Sequence, residues 1–260
     1  MSYRNTGPLL VTGAAGQLGR RVIHHLLATE GVPAKDIIAV TRKPEALADL
    51  AAKGVVVRQG SFDDAAGLKT AFAGAKRVLI ISTDRIDAPG AREVQHANAV
   101  NAAAAAGVKH IVYTSMYGCD PGCPVTTLAP SHYATEQALA KSGLSWTVLR
   151  HTWYMDGQPG TLAQSLKFGG QLVTAGNDQP VNYVTREDCA RVDAAALASD
   201  STTTRATSPS KCSPNAGGTQ ADDSVHSMRS GTCPGRGCIT RPPRRRPRWS
   251  SDRPDRASQA

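Results

Sequence analysis

A short apolar run, Leu9-Leu10-Val11, precedes three glycines at three-residue spacing, Gly13, Gly16 and Gly19. Leu18, Val22, Ile23, Leu26 and Leu27 then fall on one face of a helical period. No other stretch of the chain constrains its fold as strongly, because a buried strand must turn sharply and feed a helix within a few residues. Gly13 permits the tight turn, Gly16 lets an anionic group approach the backbone, and Gly19 lets the helix lie close to the sheet. The helix N-terminus, at Gln17 and Leu18, offers N–H groups and the positive end of a dipole. Strand, glycine turn and helix in that order make a cradle for a diphosphate, which a glycine triplet without those flanks would not specify.

The same β–α rhythm continues. Strands are predicted at 37–41, 55–58, 78–82, 110–115 and 145–150, with helices at 44–53, 65–73, 91–106 and 131–142 between them. Gly54, Gly74, Gly107 and Gly143 each sit just past a helix, where a C-terminal cap is expected. Alternating strands and helices, with strands apolar on both faces, imply an α/β fold: a Rossmann-type, doubly wound parallel sheet. Beyond Arg150 the expected order loosens to a helix at 161–170, short strands at 171–174 and 181–185, and a helix at 186–198 with Asp188 near its start. The chain therefore divides into a nucleotide-binding Rossmann domain at 1–156, a partial substrate lobe with the last Rossmann elements at 157–199, and a tail at 200–260.

Composition separates the tail from the rest. Of the net charge of +9, +7 belongs to residues 201–260, which contain no Leu, Phe or Tyr but 17 Ser and Thr. Such a segment cannot bury enough apolar surface to offset its ordering entropy, so it reads as disordered. Arg241-Pro-Pro-Arg-Arg-Arg-Pro-Arg248 would attract anionic surfaces without specificity, and no specific nucleic-acid partner is expected. No apolar run is long enough to span a bilayer, and 1–8 lack a signal-peptide core. With six Cys and no secretory signal, reduced thiols in the cytoplasm are expected. Cys119-Asp-Pro-Gly-Cys123 and Cys233-Pro-Gly-Arg-Gly-Cys238 lack His partners at zinc spacing, so no metal site is expected.

Candidate site residues gather at the ends of the predicted strands. Arg42 and Lys43 stand where an NAD-binding chain usually places an acidic residue, and two cations suit a 2′-phosphate, Arg42 in bidentate fashion and Lys43 as a point charge. NADP(H) is therefore expected over NAD(H), against the alternative of a solvated basic turn. After strand three, Phe62 is placed to cover an adenine and Ser61 or Asp63 to bond its amine, unless Asp63 or Asp64 caps the next helix. Ser82 and Thr83 end strand four near the expected path of a nicotinamide ribose. His24 and His25 read as solvated, and Asn98 as bonding backbone near strand four. Ser115 and Tyr133 occupy positions where short-chain dehydrogenases keep Ser and Tyr, but the position four after Tyr133 is Gln137 rather than Lys. Gln137 can bond a ribose hydroxyl and cannot acidify a phenol, which leaves Tyr133 as either a proton donor or a residue lining a pocket. Trp153 and Tyr154 form an aromatic pair suited to a flat acceptor, or to packing beneath a C-terminal segment.

Taken together, Thr12-Gly-Ala-Ala-Gly-Gln-Leu-Gly19, Val40-Thr-Arg-Lys-Pro44, Ala105-Ala-Gly-Val-Lys109 with Tyr113-Thr-Ser115, Val148-Leu-Arg150 with Trp153-Tyr154, and Thr185-Arg-Glu-Asp188 resemble the NmrA-like atypical short-chain dehydrogenases. Within that group they resemble the type 2 NAD(P)H:quinone oxidoreductases. The resemblance implies NADPH on the glycine loop, a small C-terminal lobe closing a substrate cleft, and hydride passing to a quinone that solvent later protonates, without a complete Ser-Tyr-Lys triad. It also leaves room for a regulator that senses NADP(H) without turnover, and for a homo-oligomer. Two departures stand out: Ser61 replaces an Asp common in the family, and the ordered segment expected after Asp188 gives way to the Arg- and Pro-rich tail. A shifted reading frame near residue 200 is the expected origin of that change.

Overall fold

Strand β1 (Leu9–Val11) feeds helix α1 (Gln17–Ala28) through the glycine turn in the computed structural model, which describes residues 7–121, 127–170, 181–201 and the backbone of 205–207. There follow β2 (Ile37–Thr41), α2 (Ala48–Ala52), β3 (Val56–Gln59), α3 (Ala65–Phe72), β4 (Arg77–Ile80), α4 (Ala91–Ala105), β5 (His110–Met116), α5 (Ala129–Lys141) and β6 (Ser145–His151). Beyond them lie β7 (Trp153–Tyr154), α6 (Gln158–Lys167), β8 (Tyr183–Val184), α7 (Arg186–Ala198) and β9 (Arg205–Thr207). The main sheet has the order β3-β2-β1-β4-β5-β6-β9, with every neighbouring pair parallel. This is the doubly wound arrangement, whose order reverses between β1 and β4.

Period-two geometry explains how one sheet serves two cores. Leu9 and Val11 point with Ala39, Leu79, Val112 and Leu149 toward α1 and α7, whereas Leu10, Val40, Ile80, Ile111 and Val148 face α3, α4 and α5. Both faces are covered, so β1, β2 and β4 are buried without alternation. Gly54, Gly74, Gly107 and Gly143 take positive φ after their helices, as the spacing leads one to expect.

Several boundaries differ from those expected. β4 stops at Ile80 rather than residue 82, because the N–H groups of Ile81 and Ser82 turn to the hydroxyls of Thr12 (2.9 Å) and Thr114 (2.9 Å). The helix expected at 44–53 begins as a 3-10 turn, Pro44–Leu47, before α2. The helix expected at 161–170 runs Gln158–Lys167, while the strand expected at 171–174 lies outside the described residues.

Helix α7 keeps its expected range and is tied at both ends. Thr185 accepts from the Asp188 N–H (3.0 Å) and donates its hydroxyl to the Asp188 carboxylate (2.7 Å), a reciprocal cap that accounts for the Thr185-to-Asp188 pattern. At its C-terminus the buried Arg77 guanidinium donates to the carbonyls of Ala196, Leu197 and Ser201. His25, expected in solvent, is 5 % exposed and bridges Thr29 (2.9 Å) and Glu187 (2.8 Å), because α7 covers the flank of α1 that periodicity leaves polar. β9 extends ladder pairing past residue 200, into the segment whose composition reads as structureless. Ladder bonds need only backbone groups, which composition does not report. Among the described residues no helix is long and apolar enough to cross a membrane.

Candidate functional site

Because the strands of the main sheet are parallel, their carboxyl ends share one edge, and the spatial order of the strands arranges the residues that follow them. Along that edge come Ser61 and Phe62 after β3, Arg42 and Lys43 after β2, the glycine turn after β1, Ser82 and Thr83 after β4, Ser115 in β5, and Trp153 and Tyr154 after β6. The crevice at the switch point, between β1 and β4, is where ligands settle in open α/β sheets.

The turn is shaped by backbone approach. Gly13 has φ +58°, a left-handed conformation that side chains disfavour. A Cβ on Gly19 would lie 2.4 Å from the Gly13 carbonyl oxygen and 2.9 Å from the Ala14 Cα, so α1 packs directly on the turn. At Gly16 the corresponding distance to the Gly13 oxygen is 3.1 Å. No side chain caps α1, and its first turn carries no acidic residue. Gly13, Gly16 and Gln17 are exposed, while Leu18 and Gly19 are buried. Thr12 fixes the turn to β4 by donating its hydroxyl to the Leu79 carbonyl (3.1 Å). An uncapped helix end, free of carboxylates and approachable at its glycines, fits a dinucleotide diphosphate.

Arg42 and Lys43 are exposed, and among the described residues neither side chain has an ion-pair partner. Arg42 lines an open groove of about 870 Å³ with Arg58, Gln59, Gly60, Ser61 and Asp64. Arg58 is already engaged with the Ala71 and Ala73 carbonyls at the end of α3. Of the two acidic residues that compete with an adenine role, Asp64 caps α3 through the Gly67 N–H (2.9 Å). Asp63 instead accepts from Gln95 (2.9 Å) and Arg85 (3.1 Å), and Ser61 accepts from the Asp63 N–H (3.2 Å). Asn98 donates to the Phe62 carbonyl (2.9 Å), so its backbone partner follows β3 rather than β4.

Thr83 is held by a buried polar network that hydrophobic patterning does not reveal. Its N–H donates to His96 Nε2 (3.1 Å), and its carbonyl accepts from Arg92. Arg92 also reaches Ser131 (3.0 Å) and His132 Nε2 (3.2 Å), and His132 Nδ1 lies 2.9 Å from the Tyr113 hydroxyl. Burial, with the Arg92 charge adding to it, lowers both His96 and His132 to about 3, so both imidazoles are neutral. Burial likewise raises the Tyr113 phenol above its ordinary range.

Ser115 is 3 % exposed and donates to Glu136 Oε1 (2.6 Å). Arg150 joins Glu136 (2.7 Å) to Asp120 (2.7 Å) and is held cationic by them. Tyr133, half-buried, and Gln137, exposed, share one stripe of α5 beside this cluster. Past β6, β7 pairs with β8 in a two-stranded sheet. Trp153 is 47 % exposed there, whereas Tyr154 is half-buried beneath the Arg186 guanidinium, 4.7 Å from its ring centre. Behind Tyr154 stands His151, bonded to the fully buried Asp193.

The model of the family described as NAD(P)H-binding matches residues 13–200. This chain belongs to the NAD(P)H-binding family. In line with the resemblance of its motifs, it is 33 % identical over 153 residues to an NmrA-like family domain-containing oxidoreductase of Aspergillus flavus, 58 % of this chain and 49 % of that one. It is 41 % identical to quinone oxidoreductase 2 of Escherichia coli over 182 residues, 70 % of this chain and 61 % of that one. Among solved structures, an NADPH-dependent quinone oxidoreductase of Escherichia coli in complex with NADPH is similar at TM-score 0.67 and 38 % identity, over 74 % of this chain and 65 % of that one. Triphenylmethane reductase of Citrobacter sp., in complex with NADP(H), is similar at TM-score 0.67 and 38 % identity, over 76 % and 68 %. The chain spans 61 % of the length of the curated quinone oxidoreductase.

Within this NAD(P)H-binding chain, the residues that sequence reading passed over are mostly polar groups on buried faces. Ser131, His132, Thr135 and Glu136 all point inward from α5, a stripe that a search for apolar periodicity assigns to solvent. Asp193, 42 residues from His151, carries no local signal at all.

Proposed function

We propose that the chain is an NADPH-dependent reductase passing hydride to a quinone or a similar small flat acceptor. The observation that carries this reading is the uncapped, acid-free glycine turn standing beside two exposed cations on one sheet edge. The named quinone and triphenylmethane reductases support it from outside, and favour turnover over sensing. The backbone of Gly13, Gly16, Gln17, Leu18 and Gly19 would hold the diphosphate, Arg42 and Lys43 the 2′-phosphate, and Ser61 and Phe62 the adenine. Ser82, Thr83 and Gln137 would position the nicotinamide ribose, with Ser115 bracing α5 through Glu136, and Trp153 and Tyr154 would face the acceptor. When bound, the reduced coenzyme supplies the hydride.

The cofactor preference is tested by Arg42→Asp in fluorescence titrations with NADPH and NADH. Loss of a charge-assisted phosphate contact, about 2 kcal/mol, should weaken NADPH binding roughly 30-fold while leaving NADH binding little changed. A variant that keeps the NADPH preference removes Arg42 from the site.

A further inference from the structure

Gln137 leaves Tyr133 without the positive charge that would make it a good acid, yet a second tyrosine on the same sheet edge has such a charge beside it. Tyr154 Oη lies 3.0 Å from His151 Nδ1, and His151 Nε2 lies 3.0 Å from Asp193 Oδ1. Asp193 is 0 % exposed, and among the described residues its Oδ2 has no hydrogen-bond partner, so its charge is directed at His151 alone. We propose that Tyr154 donates the proton to the reduced acceptor, and that the His151–Asp193 pair behind it polarises and recharges that phenol. The proposal rests on the quinone-reductase reading above.

The hydrogen-bond directions fit this role. With both ring nitrogens protonated, His151 donates from Nε2 to the Asp193 carboxylate and from Nδ1 to the Tyr154 oxygen. That oxygen's own proton is then free to point away from the pair. Burial by itself would lower His151; the Asp193 carboxylate and its hydrogen bond outweigh it, Cys189 and Tyr154 add to the effect, and the group is held well above its ordinary value. From the other face, His132 on α5 is kept neutral and so adds no opposing charge. Burial raises the Tyr154 phenol above its ordinary range, the charge and hydrogen bond of His151 oppose that rise, and the Arg186 cation stacks over the ring.

A quinone that has accepted hydride is a hydroquinone monoanion. Its oxygen takes the Tyr154 proton: the phenolic O–H bond breaks, a new O–H bond forms on the acceptor, and a tyrosinate is left. His151 Nδ1–H returns a proton to Tyr154, and solvent reprotonates the imidazole. Asp193 stays ionised throughout, as a positioning residue.

Steady-state NADPH oxidation with a panel of benzoquinones and naphthoquinones, on wild type, Tyr154→Phe, Tyr133→Phe and His151→Gln, tests the relay. General-acid loss should lower kcat of Tyr154→Phe about 100-fold with little change in the NADPH KM. Wild-type kcat should fall on the alkaline side as His151 loses its proton, and His151→Gln should lose that limb of the profile. Histidine NMR of the wild type, independent of turnover, should show one imidazolium persisting above neutral pH that disappears in His151→Gln. Turnover in wild type with Tyr154→Phe within twofold of it, or a loss carried by Tyr133→Phe instead, overturns the relay while the reductase reading stands. A neutral His151 at neutral pH overturns it on any substrate. No oxidation by wild type with any quinone overturns the reading and the relay together.

Discussion

Moving from pH 7.5 to pH 5 should cost the folded state about 5 kcal/mol, enough to unfold a domain of marginal stability. The cause is three histidines buried in neutral form. His96 and His132 are lowered to about 3 and His110 to about 4, each chiefly by burial, with nearby Arg92 or Arg77 adding repulsion. His96 and His110 are 0 % exposed and His132 5 %, so water offers no relief. The folded values lie below the unfolded value near 6.5, so between those limits the unfolded chain binds more protons and stability falls as pH falls. At pH 5 each group contributes about 2 kcal/mol of loss. His151 is raised instead; its contribution is complete below the unfolded value and fades as pH rises above it, so acidification from pH 7.5 restores about 1 kcal/mol and offsets part of the loss. Urea denaturation at the two pH values measures the difference. His110→Asn should reduce the dependence by about 2 kcal/mol, and a stability unchanged within 1 kcal/mol would contradict the neutral assignment.

Replacing Gly19 by alanine should weaken NADPH binding roughly 30-fold and lower stability by about 2 kcal/mol. The new methyl would meet the Gly13 carbonyl oxygen at 2.4 Å and the Ala14 Cα at 2.9 Å, backbone atoms that cannot rotate aside. Helix α1 must then lift from the turn, and the N–H groups that form the cradle move with it. Gly160 in α6 provides the contrast. Nothing lies within 4 Å of its Cβ position, so Gly160→Ala should gain about 1 kcal/mol from helix propensity and leave nucleotide binding alone. Calorimetric titration and thermal melts of both variants check the pair; equal behaviour of the two would mean that the close approach at Gly19 has no role in the cradle.

The sheet was readable because its strands are apolar on both faces and its helices end in glycine. Those features follow from parallel pairing between covered faces and from the positive φ a helix stop requires, both local in sequence. The glycine turn was readable for the same reason. What escaped was polar and distant. His25 looked solvated because Glu187, its partner, lies 162 residues away on α7. Asp64 and Asp63 could not be told apart, since both fit a helix cap and only backbone geometry selects Asp64. The network joining Thr83, His96, Arg92, His132 and Tyr113 comes from separate stretches of chain, and no local pattern joins its members. Pairing of β9 with β6 depends on backbone groups that no composition can disclose.

Isothermal calorimetry of the intact protein with NADPH and with NADH bears most directly on whether the amide groups at the start of α1 seat a coenzyme. Saturable one-to-one heat with NADPH, weaker with NADH and much reduced in Gly19→Ala, is the expected outcome. Absence of heat with either coenzyme from a folded sample would contradict it.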